Sequence, residues 1–203
     1  MNETFFILAA YLIGSVSFGI LVSKAFGLPD PRLHGSGNPG ATNVLRSGKK
    51  AAAALTLLGD AAKGWIAVWL AQRAGLSAIW VHAVALAVFL GHLFPVFYGF
   101  KGGKGVATAA GVLLALSPWM GLSVLATWIL AFAMWRVSSL SALIAAGFAP
   151  IYAAVFSGFS PQVLVVLMLS CLLVWRHKSN IRKLLDGTEG GFGKSADGGQ
   201  PPP

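Results

Sequence analysis

The sequence predicts an all-α integral membrane protein with seven transmembrane helices, its N-terminus outside and its C-terminus in the cytoplasm. Of its 203 residues, 56% are apolar and only 10% are charged, whereas soluble domains carry about 25% charged residues. So little charge leaves too little polar surface to cover a globule. The apolar runs also lack the two-residue alternation of a membrane barrel. We predict one domain over residues 1–185 and a disordered cytoplasmic tail over residues 186–203.

Six apolar runs approach or exceed the roughly 20 residues that cross a bilayer. The first lacks the basic start of a signal peptide and leads straight into a polar loop, so we predict a retained helix. The fourth is too long for one ordinary span and is interrupted by Ser117-Pro118, so we divide it into two short helices joined by a tight turn. The runs cover residues 4–23, 52–71, 78–98, 105–134, 139–156 and 160–175.

The distribution of basic residues supports this division, because inner loops of membrane proteins are enriched in Lys and Arg. With seven helices, the predicted outer loops contain only Arg73. Without the division, the basic C-terminal segment would lie outside. The net charge of +9 favours anionic lipid or anionic substrates as partners, and nucleic acid is excluded for want of a basic soluble module. The inner segments hold Lys24, Arg32, Arg46, Lys49, Lys50, Lys101, Lys104, Arg136, Arg176, Lys178, Arg182, Lys183 and Lys194.

A glycine-rich polar loop, residues 35–46 (GSGNPGATNVLR), lies between the first two predicted helices. Lipid offers no partner for a bare backbone, so this loop must lie outside the hydrocarbon or in a protein cavity. Its small residues let backbone N–H groups approach an anion, and Arg46 can hold a phosphate with two hydrogen bonds. The alternative is a connector with ordinary inner-side charge. Side chains that can donate to a ligand are Ser36, Asn38, Thr42 and Asn43.

A second loop of the same character, Lys101-Gly102-Gly103-Lys104-Gly105, opens the fourth predicted helix. A helix N-terminus presents free N–H groups and the positive end of the helix dipole. Two lysines beside it indicate an anion site, although the spacing is not that of a Walker motif. The alternative is a pair of lysines that anchor a helix end at the membrane surface.

Polar residues near other helix ends complete the candidate set. His177 and Asn180 are three residues apart and share a helix face, where they either contact a substrate or belong to a basic anchor. Ser139 either caps the sixth helix or binds phosphate. Asp60 and Lys63 lie inside the second helix, where charges are costly, so they form an ion pair or contact substrate. His92 lies near the inner end of the third helix.

The sequence also lacks several kinds of site. No His, Cys, Asp and Glu cluster has metal-ligand spacing, and no Gly-x-Ser-x-Gly elbow marks a serine nucleophile. The inner loops hold few carboxylates beyond Asp30, which disfavours magnesium-dependent phosphotransfer. We therefore predict no metal and no cofactor. A pocket built for anions, with no obvious general base, suits a substrate that already carries a good leaving group.

From about residue 10 to 185, the chain resembles the bacterial acyl-phosphate:glycerol-3-phosphate acyltransferase family, the PlsY proteins. The resemblance rests on residues 35–46, 60–64 (DAAKG), 91–108 (GHLFPVFYGFKGGKGVAT) and 176–181 (RHKSNI). It implies a seven-helix enzyme of the bacterial inner membrane with its active site facing the cytoplasm. Such an enzyme moves a fatty acyl group from acyl phosphate to the 1-hydroxyl of glycerol 3-phosphate, giving lysophosphatidate and inorganic phosphate. It also implies a soluble synthase that supplies the acyl phosphate.

The resemblance and the residues together define a site hypothesis. Glycerol 3-phosphate and acyl phosphate occupy neighbouring anion sites, and the general base is either the phosphate of the donor or His177. The alternative function is a membrane anion or phosphate transporter, which would need polar residues along both halves of its helices. We assign catalysis to Ser36, Arg46, Lys104, His177 and Asn180, substrate binding to Asn38, Thr42, Asn43, Lys101, Gly102, Gly103 and Ser139, and support to Asp60, Lys63 and His92.

Overall fold

The computed structural model of the chain describes residues 2–191, which form ten α-helices and one 3₁₀ turn with no strand among them. The all-helical prediction is therefore confirmed over this part of the chain. Residues 192–203 of the predicted tail lie outside the described residues. The helices are α1 Glu3–Ser15, α2 Phe18–Ala25, α3 Ala41–Leu45, α4 Lys50–Arg73, α5 Ala78–Leu93, α6 Val106–Leu116, α7 Pro118–Trp135, α8 Ser138–Ser157, α9 Pro161–Arg176 and α10 Lys178–Leu185, and the 3₁₀ turn is Val96–Tyr98.

Four of the described helical segments are long and apolar enough to cross a membrane: α4, α5 with its 3₁₀ turn, α7 and α8. The pairs α1–α2 and α9–α10 qualify as bent spans, with bends of 43° and 60°, which raises the number to six. α6 is a shorter apolar helix. Large apolar side chains such as Leu58, Ile129 and Val155 are exposed on these helices, as a lipid-facing surface requires. The number of seven spans stays a prediction.

The predicted interruption of the fourth apolar run is confirmed. α6 ends at Leu116 and α7 begins at Pro118, where proline is suited to the first helical position. The Ser117 hydroxyl accepts a hydrogen bond from the Met120 amide at 3.5 Å. A Cβ on Gly121 would lie 2.6 Å from the Leu114 backbone. α7 therefore folds back tightly against α6.

The first predicted helix is broken in the structure. α1 ends at Ser15 and α2 begins at Phe18, with a bend of 43° between them. The Lys63 ammonium, from the middle of α4, donates to the Val16 carbonyl at 2.6 Å. A carbonyl freed by a break inside a membrane needs such a partner. The hydropathy of residues 4–23 predicted one unbroken helix, because the hydrogen-bond donor that allows the break lies 47 residues away in the sequence.

Close backbone contacts hold the central helices together. A Cβ on Gly14 would lie 2.1 Å from the Val88 carbonyl oxygen, which brings α1 against α5. A Cβ on Gly111 would lie 1.9 Å from the Ala61 oxygen, which brings α6 against α4. Small residues at such crossings let membrane helices pack closely. These contacts hold the ends of α1, α4, α5 and α6 in fixed positions relative to the polar loops.

Candidate active site

Four segments that the sequence assigned to the inner side meet at one end of the helices. The Arg176 guanidinium, at the end of α9, donates to the Gly102 oxygen at 2.7 Å and to the Gly103 oxygen at 3.1 Å. The Thr42 hydroxyl lies 3.2 Å from that of Ser138 at the start of α8. Hydrogen bonds from Ser139 and Asn180 to Glu189, and from Lys104 to Asn180, join these two pairs. The two glycine-containing loops, the start of α8 and the end of α9 therefore border one polar region.

Lys104 is at the centre of this region. Its ammonium donates to the Asn180 side-chain oxygen at 2.5 Å. Burial lowers the pKa of Lys104 to about 8; the Glu189 carboxylate opposes this shift, and the cations of Arg46, Lys183 and Arg176 add to it. The Arg46 charge therefore acts on Lys104, and the shared anion site of these two residues stays a prediction. Lys104 remains mainly cationic at neutral pH.

The Gly102-Gly103 turn is held from two sides. Arg176 holds its carbonyl oxygens, and the Gly103 amide donates to the His92 oxygen at 3.2 Å. A Cβ on Gly103 would lie 2.3 Å from the His92 imidazole, so the backbone approaches the ring more closely than a side chain permits. The clamp by Arg176 was not predicted, because its partners are 73 and 74 residues away in the sequence.

His177 joins α9 to α10 and is only 2% exposed. Its Nδ1 lies 2.8 Å from the Leu173 carbonyl oxygen. A carbonyl can only accept a hydrogen bond, so Nδ1 carries a proton. In the neutral imidazole, Nε2 is then the nitrogen that can accept one. This arrangement is compatible with either a base or a hydrogen-bonding partner for a substrate hydroxyl.

Asn43 braces the glycine-rich loop from inside. It is 1% exposed, and its amide nitrogen donates to the Pro31 oxygen at 2.7 Å and the His34 oxygen at 3.1 Å. Its side-chain oxygen accepts from the Ser36 amide at 3.0 Å. These bonds shape the loop that carries Arg46. The predicted contact between Asn43 and substrate stays a prediction.

Other predicted ligands lie at the surface of the polar region. Ser36, Arg46 and Lys101 are exposed, and Asn38 and Thr42 are half-buried. Their polar groups are therefore accessible to a ligand that approaches from this end. Within residues 2–191 no group of three His, Cys, Asp or Glu side chains is placed to hold a metal ion.

Asp60, Lys63 and His92 form a buried group behind the loops. The Lys63 ammonium lies 2.8 Å from the Asp60 carboxylate, and both side chains are 3% exposed. The His92 Nδ1 lies 3.6 Å from the same carboxylate oxygen. Of the two roles considered for Asp60 and Lys63, the structure shows the ion pair. Through His92 this group also contacts the Gly102-Gly103 turn.

Glu189 contacts two residues of the candidate site, which the sequence did not reveal. Its carboxylate oxygen Oε1 accepts from the Ser139 hydroxyl at 2.5 Å and from the Asn180 amide nitrogen at 2.6 Å. The residue lies in the segment predicted to be a disordered tail. No periodicity or motif marks residues 186–191, so the sequence offered only two acidic residues, Asp186 and Glu189, after a basic stretch.

Comparison with known proteins gives consistent matches over nearly the whole chain. The family model described as glycerol-3-phosphate acyltransferase matches residues 4–187. The glycerol-3-phosphate acyltransferase of Methylobacillus flagellatus is 66% identical over 196 residues, which cover 97% of this chain and 100% of the relative. That of Nitrosospira multiformis is 60% identical over 192 residues, which cover 93% of this chain and 95% of the relative.

Two crystal structures of PlsY, an integral membrane glycerol 3-phosphate acyltransferase, share this fold. The glycerol 3-phosphate form matches with a TM-score of 0.89 and 39% identity over 94% of this chain and 96% of that one. The lysophosphatidic acid form matches with a TM-score of 0.87 and 38% identity over 94% of this chain and 95% of that one.

Proposed function

Because this chain belongs to the glycerol-3-phosphate acyltransferase family, as a PlsY-type integral membrane enzyme with that activity, we propose that its acyl donor is acyl phosphate. The products are then lysophosphatidate and inorganic phosphate, in the first step of phospholipid synthesis. Both proposed substrates carry phosphate, so the enzyme needs two anion sites. The donor is a lipid, so one site must open to the bilayer.

The convergence of Lys104, Asn180 and Ser139, with Arg46 in electrostatic reach, is the observation that carries this proposal. These groups come from four segments that are far apart in sequence. Charge-assisted hydrogen bonds from Arg and Lys are the strong ligands of phosphate oxygens. A preorganised cluster of this kind also stabilises negative charge that develops in a transition state.

In the proposed reaction, Arg46 and Lys104 hold glycerol 3-phosphate with its 1-hydroxyl facing the acyl carbonyl. Ser36, Ser139, His177 and Asn180 assist them. Thr42, Lys101 and Gly102 hold the acyl phosphate, and Gly103, whose amide is bonded to the His92 oxygen, shapes their loop. Orientation of two bound reactants contributes much of the rate.

The chemistry needs no covalent enzyme intermediate, because acyl phosphate is a mixed anhydride. The hydroxyl oxygen attacks the carbonyl carbon, the bond from that carbon to the phosphate oxygen breaks, and phosphate leaves. The hydroxyl proton passes either to the phosphate of the donor or to Nε2 of His177. This choice is tested below.

We further propose seven spans in the bacterial inner membrane, with the N-terminus outside and the site facing the cytoplasm. In this arrangement α1 with α2 forms one bent span, α6 is a short one, and α9 is the last. The inward bias of Lys and Arg supports it, since the site end carries Lys104, Arg176 and Lys183 while Arg73 lies at the far end of α4. A soluble acyl-phosphate synthase is the proposed supplier of donor.

The decisive experiment supplies purified protein and glycerol 3-phosphate with acyl phosphate, acyl-CoA or acyl-carrier protein, and measures lysophosphatidate. We expect product from acyl phosphate alone, with inorganic phosphate released in equal amount. Lys104→Ala and Arg46→Ala should each lower kcat/KM by about 100-fold or more, while Lys24→Ala, an exposed cation elsewhere, should not.

Product formed from acyl-CoA but not from acyl phosphate would overturn the donor assignment. Normal turnover in either the Lys104 or the Arg46 variant would remove that residue from the site. Phosphate uptake by proteoliposomes without acyl transfer would favour the transporter instead.

A further inference from the structure

We propose that Glu189 occupies the subsite for the phosphate of glycerol 3-phosphate, and that binding of this substrate displaces residues 186–191. The inference rests on the proposed placement of glycerol 3-phosphate at Lys104, Ser139 and Asn180. The Glu189 carboxylate is then an anion of the protein itself that competes with the substrate phosphate, and the substrate binds by replacing it.

The contacts of Glu189 are those expected of a substrate phosphate. One carboxylate oxygen accepts from both Ser139, at 2.5 Å, and Asn180, at 2.6 Å. The side-chain oxygen of the same Asn180 accepts a hydrogen bond from the Lys104 ammonium. Carboxylate and phosphate oxygens are recognised by the same charged and neutral donors. One oxygen of Glu189 and one of phosphate cannot occupy this position together.

The charges of the site explain why an internal anion stabilises the free enzyme. Arg176 bonds the Gly102 and Gly103 oxygens beside Lys104, and Lys183 lies in α10 three residues after Asn180, which bonds Lys104. The charges of both residues and of Arg46 lower the pKa of Lys104. Like charges at short range repel, most strongly where burial excludes water. The Glu189 carboxylate acts in the opposite direction on Lys104. It therefore compensates this cluster until a substrate anion replaces it.

The segment that carries Glu189 turns back at the end of α10. The amides of Thr188 and Glu189 both donate to the Lys183 carbonyl, at 2.8 Å and 3.1 Å, and Gly187 has a positive φ of 68°. Asp186, Gly187 and Thr188 are exposed. Segments with few buried contacts open at low free-energy cost, so a bound substrate can displace this one.

Competition predicts a specific kinetic signature. If only a fraction of free enzyme has the subsite open, the apparent affinity for substrate is reduced by that fraction. Removing the Glu189 carboxylate should then lower the KM for glycerol 3-phosphate and leave kcat unchanged. A general base would instead lower kcat when removed. A residue that merely braces Ser139 and Asn180 would raise KM.

The test compares full-length Glu189→Gln and Glu189→Ala with Asp186→Asn, which removes a charge from the exposed side of the same segment. We expect the KM for glycerol 3-phosphate to fall by about threefold or more in both Glu189 variants, with kcat within about twofold. Asp186→Asn should match the wild type. An unchanged or raised KM, or a kcat lowered about tenfold or more, would overturn the proposal.

A second measurement needs no acyl donor, so it is independent of the proposed acyl phosphate chemistry. A nitroxide label is attached at Thr188→Cys in a Cys171→Ala background, which removes the native thiol. Glycerol 3-phosphate alone should raise the mobility of the label in a saturable manner, with a midpoint that matches its binding by calorimetry. A label that stays immobile while calorimetry reports binding would overturn the proposal.

Discussion

Lys104 has a pKa in the range where many enzymes are assayed. Burial places that pKa at about 8, so its ammonium is cationic below this pH and loses its proton above it. In the proposed site the cation is the form that binds phosphate. If that proposal is right, the pH dependence of the enzyme reports on this residue.

We predict that kcat/KM for glycerol 3-phosphate falls as the pH rises through about 8. Lys104→Arg should remove this fall if it remains active, because guanidinium stays charged at all usable pH values. Lys24→Arg is the matched control and should keep the wild-type profile. Initial rates of the wild type and both variants, measured over a pH series, would test this prediction. A wild-type profile that stays flat well above this pH would contradict the assignment.

His177 is the protein group that competes with the phosphate of the donor for the role of base. If the donor phosphate accepts the proton, His177→Gln should retain kcat within about tenfold. The glutamine amide can still donate to Leu173, so the packing of this buried position is largely kept. Stopped assays with saturating substrates measure kcat. A larger loss in a variant of unchanged thermal stability would make His177 the base.

Several residues of the candidate site could be singled out from the sequence because their motifs are local, and their roles stay predictions. Lys104 lies in a Lys-Gly-Gly-Lys turn at a helix start, and His177 and Asn180 are one helical turn apart. Arg176 and Glu189 have roles that depend on partners 73 and 50 residues away, Gly103 and Ser139 respectively. No local pattern encodes those pairings, so the clamp and the internal anion could not be predicted.

At the scale of the elements, the crossing of α4 and α6 is the contact most sensitive to side-chain size. A Cβ on Gly111 would lie 1.9 Å from the Ala61 carbonyl oxygen. The added Cβ is attached to the α6 backbone and the oxygen belongs to the α4 backbone, so the two atoms can separate only if one of the helices shifts. α6 leads directly from Lys104, so this crossing also fixes the position of the site.

We predict that Gly111→Ala destabilises the enzyme by about 1–3 kcal/mol, the usual cost of overpacking. Gly147→Ala is the matched control, since Gly147 is also helical and nothing lies within 4 Å of its added Cβ. Thermal inactivation in detergent would show a lower midpoint for the first variant only. Equal midpoints for both would contradict the close crossing.

The helix break at Val16 shows how one element depends on another. Residues 4–23 are apolar enough for one helix, yet the chain bends by 43° between α1 and α2. Lys63 supplies a donor for the freed carbonyl and also pairs with Asp60. One buried cation thus donates to a freed carbonyl and forms an ion pair with a carboxylate, and these two interactions offset the cost of burying its charge at membrane depth.

At the scale of the whole molecule, polar and apolar regions are sharply separated. The site, its cations and the amphipathic α10 gather at one end, and apolar side chains cover the outer faces of the long helices. This separation suits an enzyme that joins a water-soluble acceptor to a lipid donor. It also makes the orientation in the membrane testable.

We predict that Lys49 faces the cytoplasm and Ser77 the opposite side. Both residues are exposed, so Lys49→Cys and Ser77→Cys in a Cys171→Ala background give matched single thiols. In intact cells an impermeant maleimide should label only the Ser77 variant, and permeabilised cells should allow both. Labelling of Lys49→Cys in intact cells would reverse the proposed orientation.

The sequence by itself determined the helical membrane class, the turn at Ser117-Pro118 and the loops that carry the polar residues. Hydropathy, turn-forming residues and loop composition are local properties, so they can be read along the chain. Only the tertiary structure decided that Lys63 holds the Val16 carbonyl, that Arg176 clamps the Gly102-Gly103 turn and that Glu189 binds Ser139 and Asn180. Such contacts exist only once packed helices bring distant residues together.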